Sequence, residues 1–219
     1  MIINGETVTD TDINNLHYAE SHGVFGSNTL PIVFEMVKFV QPTVCVIIGS
    51  GAGLIPRVIR ESQIQSVEDG SKNVKTYLID LGETYGAMPQ QIHDKESLFR
   101  KMYPEIIVYK GLSVCDGLNY IKNHHSYIDV LWIDGDHSHI GSLKDFDNYS
   151  KLLSEHGLIF LHDTAPAGAN NIQPVWCGVH TTIEYIKKNY KHFELINFTR
   201  TSQLKLGAGL AIVKHNLWK

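Results

Sequence analysis

Asp134, Asp136, His137 and His139 fall within six positions of one another in the run IDVLWIDGDHSHIGSLKDF, directly after apolar residues that read as a buried strand. Charges at such a strand end lose hydration unless they are paired or hold a cation, so the clustering calls for a compensating partner. A later apolar run ends in LHDT and sets His162 and Asp163 at the next strand end. Two neighbouring strand ends that each carry an aspartate can turn converging oxygens toward a divalent cation, and hard oxygen donors suit magnesium or manganese. Asp136 and Asp163 are the expected ligands. His162 is a third, which would tilt the preference toward a softer ion. The plain alternative is that Asp163 caps the turn that follows it and Asp136 caps a helix.

A second group of residues suits a nucleotide-type ligand. In GSGAG, Gly49, Ser50, Gly51 and Gly53 lie between a buried strand and a helix start, where missing side chains let backbone amides approach a ligand. A tight strand-to-helix turn also needs glycine, so the loop gains weight only from its context. A dinucleotide fingerprint would need glycine at position 54, which is Leu54. The spacing instead suits an adenosine ligand that carries a sulfonium and an amino acid tail. Asp80, closing the strand VKTYLID, can then accept from both ribose hydroxyls. Ser113 follows a third strand and can help enclose the adenine or cap a helix, with Asp116 a weaker candidate. Asp134 is placed in the same cofactor-binding set.

These residues need a scaffold that brings several strand ends together. Apolar runs of strand length alternate with amphipathic runs of helix length, the pattern of an α/β fold with helices on both faces of a parallel sheet. Strands are expected at TVCVIIG, VKTYLID, EIIVYKG, IDVLWID and LIFLHD. Helices are expected at LPIVFEMVKFV, at LIPRVIRESQ with Pro56 in its first turn, from Pro89 to Tyr103, near Asp116 to Asn123, over 141–155 with Gly157 as its stop, and at TTIEYIKKNY. The last two strands, FELINFT and GAGLAIVKH, should pair antiparallel at one edge, giving a Rossmann-like, doubly wound, mostly parallel seven-stranded sheet. Residues 31–219 read as one domain. Residues 1–30 read as a cap or flap over the ligand, or as part of a homo-oligomer contact.

Composition narrows the function classes. The 219 residues carry a formal charge of -4, which offers no positive field for nucleic acid. The opening residues lack the basic then apolar order of a secretory signal, and no run is long enough for a membrane span, so a soluble cytoplasmic protein is expected. Cys45, Cys115 and Cys177 are far apart and suit reduced thiols. The loop from Thr164 to Val179, with Trp176 and His180, and the segment around Tyr85, Met88 and Pro89 are candidate contacts for a small-molecule acceptor.

The series VIIGSGAG, YLID, KGLS, WIDGDHSHIGSLKDF, HGLIFLHDT and GAGLAIV resembles class I S-adenosylmethionine-dependent methyltransferases, in the group of macrocin-type sugar O-methyltransferases and cephalosporin hydroxylase-like proteins. The resemblance implies methyl transfer from S-adenosylmethionine to a hydroxyl of a sugar or glycosylated metabolite. It puts magnesium on Asp136 and Asp163, with His162 where several members have an acidic ligand. It puts the general base on His139, three positions beyond Asp136, with His137 as the competitor. An acidic residue common in the first strand of related enzymes is missing, since Val46 and Ile47 stand there. Two other readings remain: a metal-dependent hydrolase using DGDHSH, and a cofactor-binding protein without turnover.

Overall fold

The structure, a computed structural model, describes residues 2–3, 6–7, 29–49, 53–67, 73–82, 92–166, 177–198 and 209–216. A short antiparallel pair, β1 (Ile2–Ile3) and β2 (Glu6–Thr7), stands apart from the main sheet. The rest of the reading of residues 1–30 as a cap or flap lies mostly outside the described residues, as do Ser50, Gly51, Tyr85, Met88, Pro89 and Trp176.

The main sheet comprises β3 (Val44–Ile48), β4 (Lys75–Asp80), β5 (Ile107–Lys110), β6 (Ile128–Ile133), β7 (Leu153–His162), β8 (Phe193–Phe198) and β9 (Leu210–His215). Their order across the seven-stranded sheet is β5-β4-β3-β6-β7-β9-β8. All neighbouring pairs from β5 to β7 are parallel, and β9 runs antiparallel to both β7 and β8. The expected architecture is therefore present. The progression of strand order reverses between β3 and β6, the switch point at whose carboxyl ends sheets of this kind form a ligand crevice.

Strand composition explains the burial. All five residues of β3 are buried, as a β-branched strand covered on both faces requires. Alternation then divides the sheet's two cores. In β6, Val130 and Trp132 pack with Val33 and Val37 of α1 (Thr29–Val40) and with Leu54, Ile55 and Ile59 of α2 (Leu54–Gln65). Leu131 and Ile133 face the other way, toward Leu118 and Ile121 of α4 (Leu118–His124), Phe146 and Tyr149 of α5 (His139–Tyr149), and Ile183 and Ile186 of α6 (Val179–Asn189).

Three expected boundaries are corrected. The span from Pro89 to Tyr103 does not form one helix within its described part. Ser97 accepts from the Arg100 amide and Asp94 from the Glu96 amide, so the short α3 (Leu98–Met102) starts afresh. The helix near Asp116 begins earlier, as a π-helical turn over Ser113–Gly117 that runs into α4. Finally, α5 ends at Tyr149, and Gly157 lies within β7 rather than stopping a helix. A Cβ on Gly157 would lie 2.9 Å from the Asp129 carbonyl oxygen and 2.7 Å from Leu153 Cδ1, so glycine there permits close strand approach beside the register shift between β6 and β7.

Candidate active site

The crevice is built on a backbone crossing. Gly49 has φ of 84°, and a Cβ on it would stand 2.1 Å from the Asp134 carbonyl oxygen. Only glycine fits that turn. The Gly49 amide donates to Ile79 O at 2.9 Å and the Asp134 amide to Ile48 O at 2.9 Å, which locks the ends of β3, β4 and β6 together. Gly53, with φ of 78°, is the N-cap of α2 and has no side chain to cap its first turn. At the end of β4, Asp80 Oδ1 accepts from the Gly82 amide at 2.6 Å and lies 3.4 Å from His93 Nε2. Ser113 opens the π-helical turn beyond β5, and Asp116 is exposed.

Beyond β6 and β7 the chain assembles four ionisable groups. One donor atom each from Asp134, His162 and Asp163 lies within 4.8 Å of the others, the arrangement a metal ion would require. Asp134 Oδ1 is 3.1 Å from His162 Nδ1 and 3.3 Å from His137 Nε2. Asp163 completes the group, with Oδ2 at 2.8 Å from His137 Nδ1 and Oδ1 at 3.3 Å from His162 Nδ1. Asp163 takes the left-handed conformation, φ 58°, which is strained for any residue but glycine and is tolerated best by Asn and Asp. That turn swings its carboxylate back over the strand end. Below them, His162 stacks on Trp132 with ring centroids 5.8 Å apart.

The electrostatics follow from this crowding. Both ring nitrogens of His137 face carboxylates, which only accept hydrogen bonds, so both must carry protons. Burial alone would lower its pKa, but the hydrogen bonds and charges of Asp134 and Asp163 outweigh burial and hold it at about 11. His162 is raised for the same reason, burial opposing and the two carboxylates prevailing. Burial likewise opposes ionisation of Asp134, yet the neighbouring imidazolium groups hold its carboxyl well below the usual range. Two carboxylates thus stand against two imidazoles whose protons occupy the place a divalent cation would take.

The geometry sets two of the expected residues apart from this group. Asp136 does not join the group of ligand atoms; Asp134 does. The Asp136 Oδ1 accepts from the Ser138 amide at 2.9 Å, and its carboxyl lies against Gly141 in the first turn of α5, where a Cβ would come within 2.2 Å of Oδ2. By that point the chain has left the strand end and is entering a helix, and a carboxylate is stabilised by the amides there. His139 is turned away as well. Its Nδ1 is 2.9 Å from Thr182 Oγ1 on α6, whereas His137 sits between the two aspartates.

The return of the chain closes the site. The Gly178 amide donates to His137 O at 2.8 Å, and Cys177 Sγ lies 3.7 Å from Asp163 O. His180, an expected acceptor contact, is half-buried in the first turn of α6 and pairs with Thr181 Oγ1 at 3.2 Å. Two further residues escaped the reading of the sequence. His93 beside Asp80 carried no local signal. Asp145 did carry one, a charge on the helical stripe Ser142, Asp145, Phe146, Tyr149, all of it buried.

With this geometry in hand, comparison with known proteins is informative. Residues 46–164, just over half the chain, match a family described as a methyltransferase domain. The chain belongs to the methyltransferase-domain family. The match spans β3 to the turn after β7, and so takes in Gly49, Asp80, Ser113, Asp134, His137, His162 and Asp163. No curated protein matches the sequence. Solved methyltransferases share the fold. One is an O-methyltransferase from Bacillus cereus in complex with S-adenosylhomocysteine, with TM-score 0.64, 13% identity, and 95% of this chain and 92% of that chain covered. Another is the O-methyltransferase TomG of tomaymycin synthesis from Streptomyces achromogenes, in complex with S-adenosylmethionine, with TM-score 0.66, 10% identity, and coverage of 95% and 91%. A third is an S-adenosylhomocysteine-bound methyltransferase from Podospora anserina, with TM-score 0.62, 13% identity, and coverage of 97% and 91%. The methyltransferase fold of this chain accordingly extends well beyond the matched segment. Among the described residues, no helix is long and apolar enough to cross a membrane.

Proposed function

We propose that this methyltransferase transfers a methyl group from S-adenosylmethionine to a hydroxyl of a small molecule, with a divalent cation held by Asp134, His162 and Asp163. The observation that carries the reading is the convergence of those three residues beside a crevice in which a Cβ on Gly49 would strike the neighbouring backbone. The residues present suit the methyl donor. Gly49 and Gly53 bound the β3–α2 turn with positive φ and no side chains of their own, and Asp80 at the end of β4 stands where a carboxylate can receive two ribose hydroxyls. The TomG structure contains S-adenosylmethionine on the same fold, which supports this choice of donor.

The donor set also suits a cation. Two carboxylates and an imidazole favour magnesium or manganese, with His162 the softest of the three ligands. A bound cation would lower the pKa of a hydroxyl coordinated to it, and the sulfonium would supply the electrophilic methyl. Everything else falls to the chain. Asp134 and Asp163 keep His137 protonated while their charge is unmet, and with that charge neutralised His137 becomes an ordinary imidazole at the carboxylate end of the crevice. In that state an unprotonated ring nitrogen of His137 can take the proton from the acceptor hydroxyl. The Gly178 amide, bonded to His137 O, holds the imidazole's backbone in place while the proton moves.

A sugar or glycosylated metabolite is the favoured acceptor class, following the resemblance to macrocin-type enzymes. Transfer of labelled methyl from S-adenosylmethionine to a panel of glycosides and phenols, with and without a chelator, tests the reading. Transfer that is lost on chelation and restored by magnesium or manganese supports it. Transfer unaffected by thorough chelation removes the cation, and no transfer to any hydroxylated acceptor removes the proposed reaction.

A further inference from the structure

We propose that Asp145 recognises the exocyclic amine of the cofactor's adenine, with Ser113 fixing the carboxylate's orientation. The inference rests on the reading of S-adenosylmethionine as cofactor and assigns a residue to its base specificity. Asp145 lies on the sheet-facing side of α5 and is 2% exposed. Its Oδ1 accepts from Ser113 Oγ at 2.5 Å, and from the next turn of the same helix Tyr149 Oη donates to Ser113 O at 2.7 Å. Helix α5 therefore grips the turn beyond β5 at two points.

The second carboxylate oxygen lies beside Gly135, just past the end of β6. Asp145 Oδ2 lies 3.7 Å from where a Cβ on Gly135 would stand, and Gly135 itself is exposed. Gly135 follows Asp134, against whose carbonyl Gly49 packs, so this carboxylate lies behind a residue without a side chain at the carboxyl end of β6. Among the described residues Ser113 is the single hydrogen-bond donor to Asp145. A buried carboxylate can accept several donors, so capacity for N–H groups is left over. Burial, with the charge of Asp136, pushes its pKa up to about 6 against the hydrogen bond from Ser113.

The surroundings suit a flat heterocycle. Leu81, just after Asp80, and Leu112, just before Ser113, are 45% and 50% exposed at the ends of adjacent strands. With the ribose on Asp80, a base extending toward Ser113 has apolar side chains beside it and Asp145 behind Gly135. Adenine offers an amine to that carboxylate. Hypoxanthine offers a carbonyl oxygen, which the carboxylate repels.

Calorimetric binding of S-adenosylhomocysteine and S-inosylhomocysteine to the wild type and to Asp145→Asn tests the assignment. The wild type should prefer the adenine compound by about 30-fold, the discrimination expected of one hydrogen bond to a charged group. In Asp145→Asn, whose amide can turn either its oxygen or its nitrogen outward, the preference should shrink to within about threefold. Equal binding of the two compounds by the wild type overturns the assignment whether or not the variant folds. So does a wild-type preference retained in a variant whose thermal melt is at least as high as the wild type's, because Asp145 would then serve only to anchor Ser113. If the wild type binds neither compound, the cofactor reading itself fails and carries this inference with it.

Discussion

Replacing Asp145 by Asn should stabilise the protein, and by an amount that depends on pH. Asp145 is 2% exposed, and desolvation raises its pKa from 3.8 to about 6 despite the hydrogen bond from Ser113. An acid whose pKa rises on folding binds more protons in the native state than in the unfolded chain across that interval. Stability is therefore lost as pH rises from about 4 through 6. The shift corresponds to about 3 kcal/mol once the group is fully ionised. Asn keeps the shape and an oxygen to receive the Ser113 hydroxyl but has no charge to desolvate. Urea unfolding followed by tryptophan fluorescence at pH 4, 5, 6 and 7 measures both proteins. The variant should match the wild type near pH 4 and exceed it by about 3 kcal/mol at pH 7. A difference that stays flat across this range, or that favours the wild type at pH 7, would refute the reasoning. A stabilising change at this position would also mean that the carboxylate is kept at a cost in stability, as expected of a residue retained for binding.

Other perturbations separate the groups of the site. Gly49→Ala should destabilise the fold by about 2–5 kcal/mol, because it adds a positive-φ penalty to a clash with the Asp134 carbonyl, and it should abolish S-adenosylhomocysteine binding; urea unfolding and calorimetry check the two effects. Asp80→Ala should weaken S-adenosylhomocysteine binding about tenfold or more by calorimetry while leaving turnover at saturating cofactor nearly intact. His137→Ala should lower methyl transfer by about 100- to 10,000-fold, whereas His139→Ala, which loses only a contact to Thr182, should lower it far less in the same assay. Asp163→Asn should abolish manganese binding measured by calorimetry, whereas Asp136→Asn should retain it, since Asp136 is engaged with the first turn of α5.

The succession of strands along the chain and the two-faced core were legible because apolar periodicity records burial directly: β3 is apolar throughout, and β6 alternates between two packed layers. The positions of Gly49 and Asp80 at strand ends were legible because the apolar runs before them stop there. What the sequence obscured was direction. DGDHSH shows that charge gathers after β6, but whether Asp134 or Asp136, and His137 or His139, faces the crevice depends on where the strand stops and the helix starts. Ser138 decides this by capping α5 through the Gly141 amide, which draws Asp136 and His139 to the helix. Gly157 misled for a related reason, since close strand packing and helix termination make the same demand for a missing side chain. The place of Asp145 depends on Ser113, which lies 32 residues away, so no local pattern could reveal the pair.

The central claim is that the ends of β6 and β7 hold a divalent cation next to a cofactor bound between Gly49 and Asp80. Anomalous scattering from a crystal grown with S-adenosylhomocysteine and manganese tests it most directly. The account predicts a manganese peak bonded to Asp134, His162 and Asp163, with the cofactor's ribose on Asp80 and its adenine near Ser113. A peak on Asp136 instead, or no peak in a crystal whose crevice contains the cofactor, would contradict it.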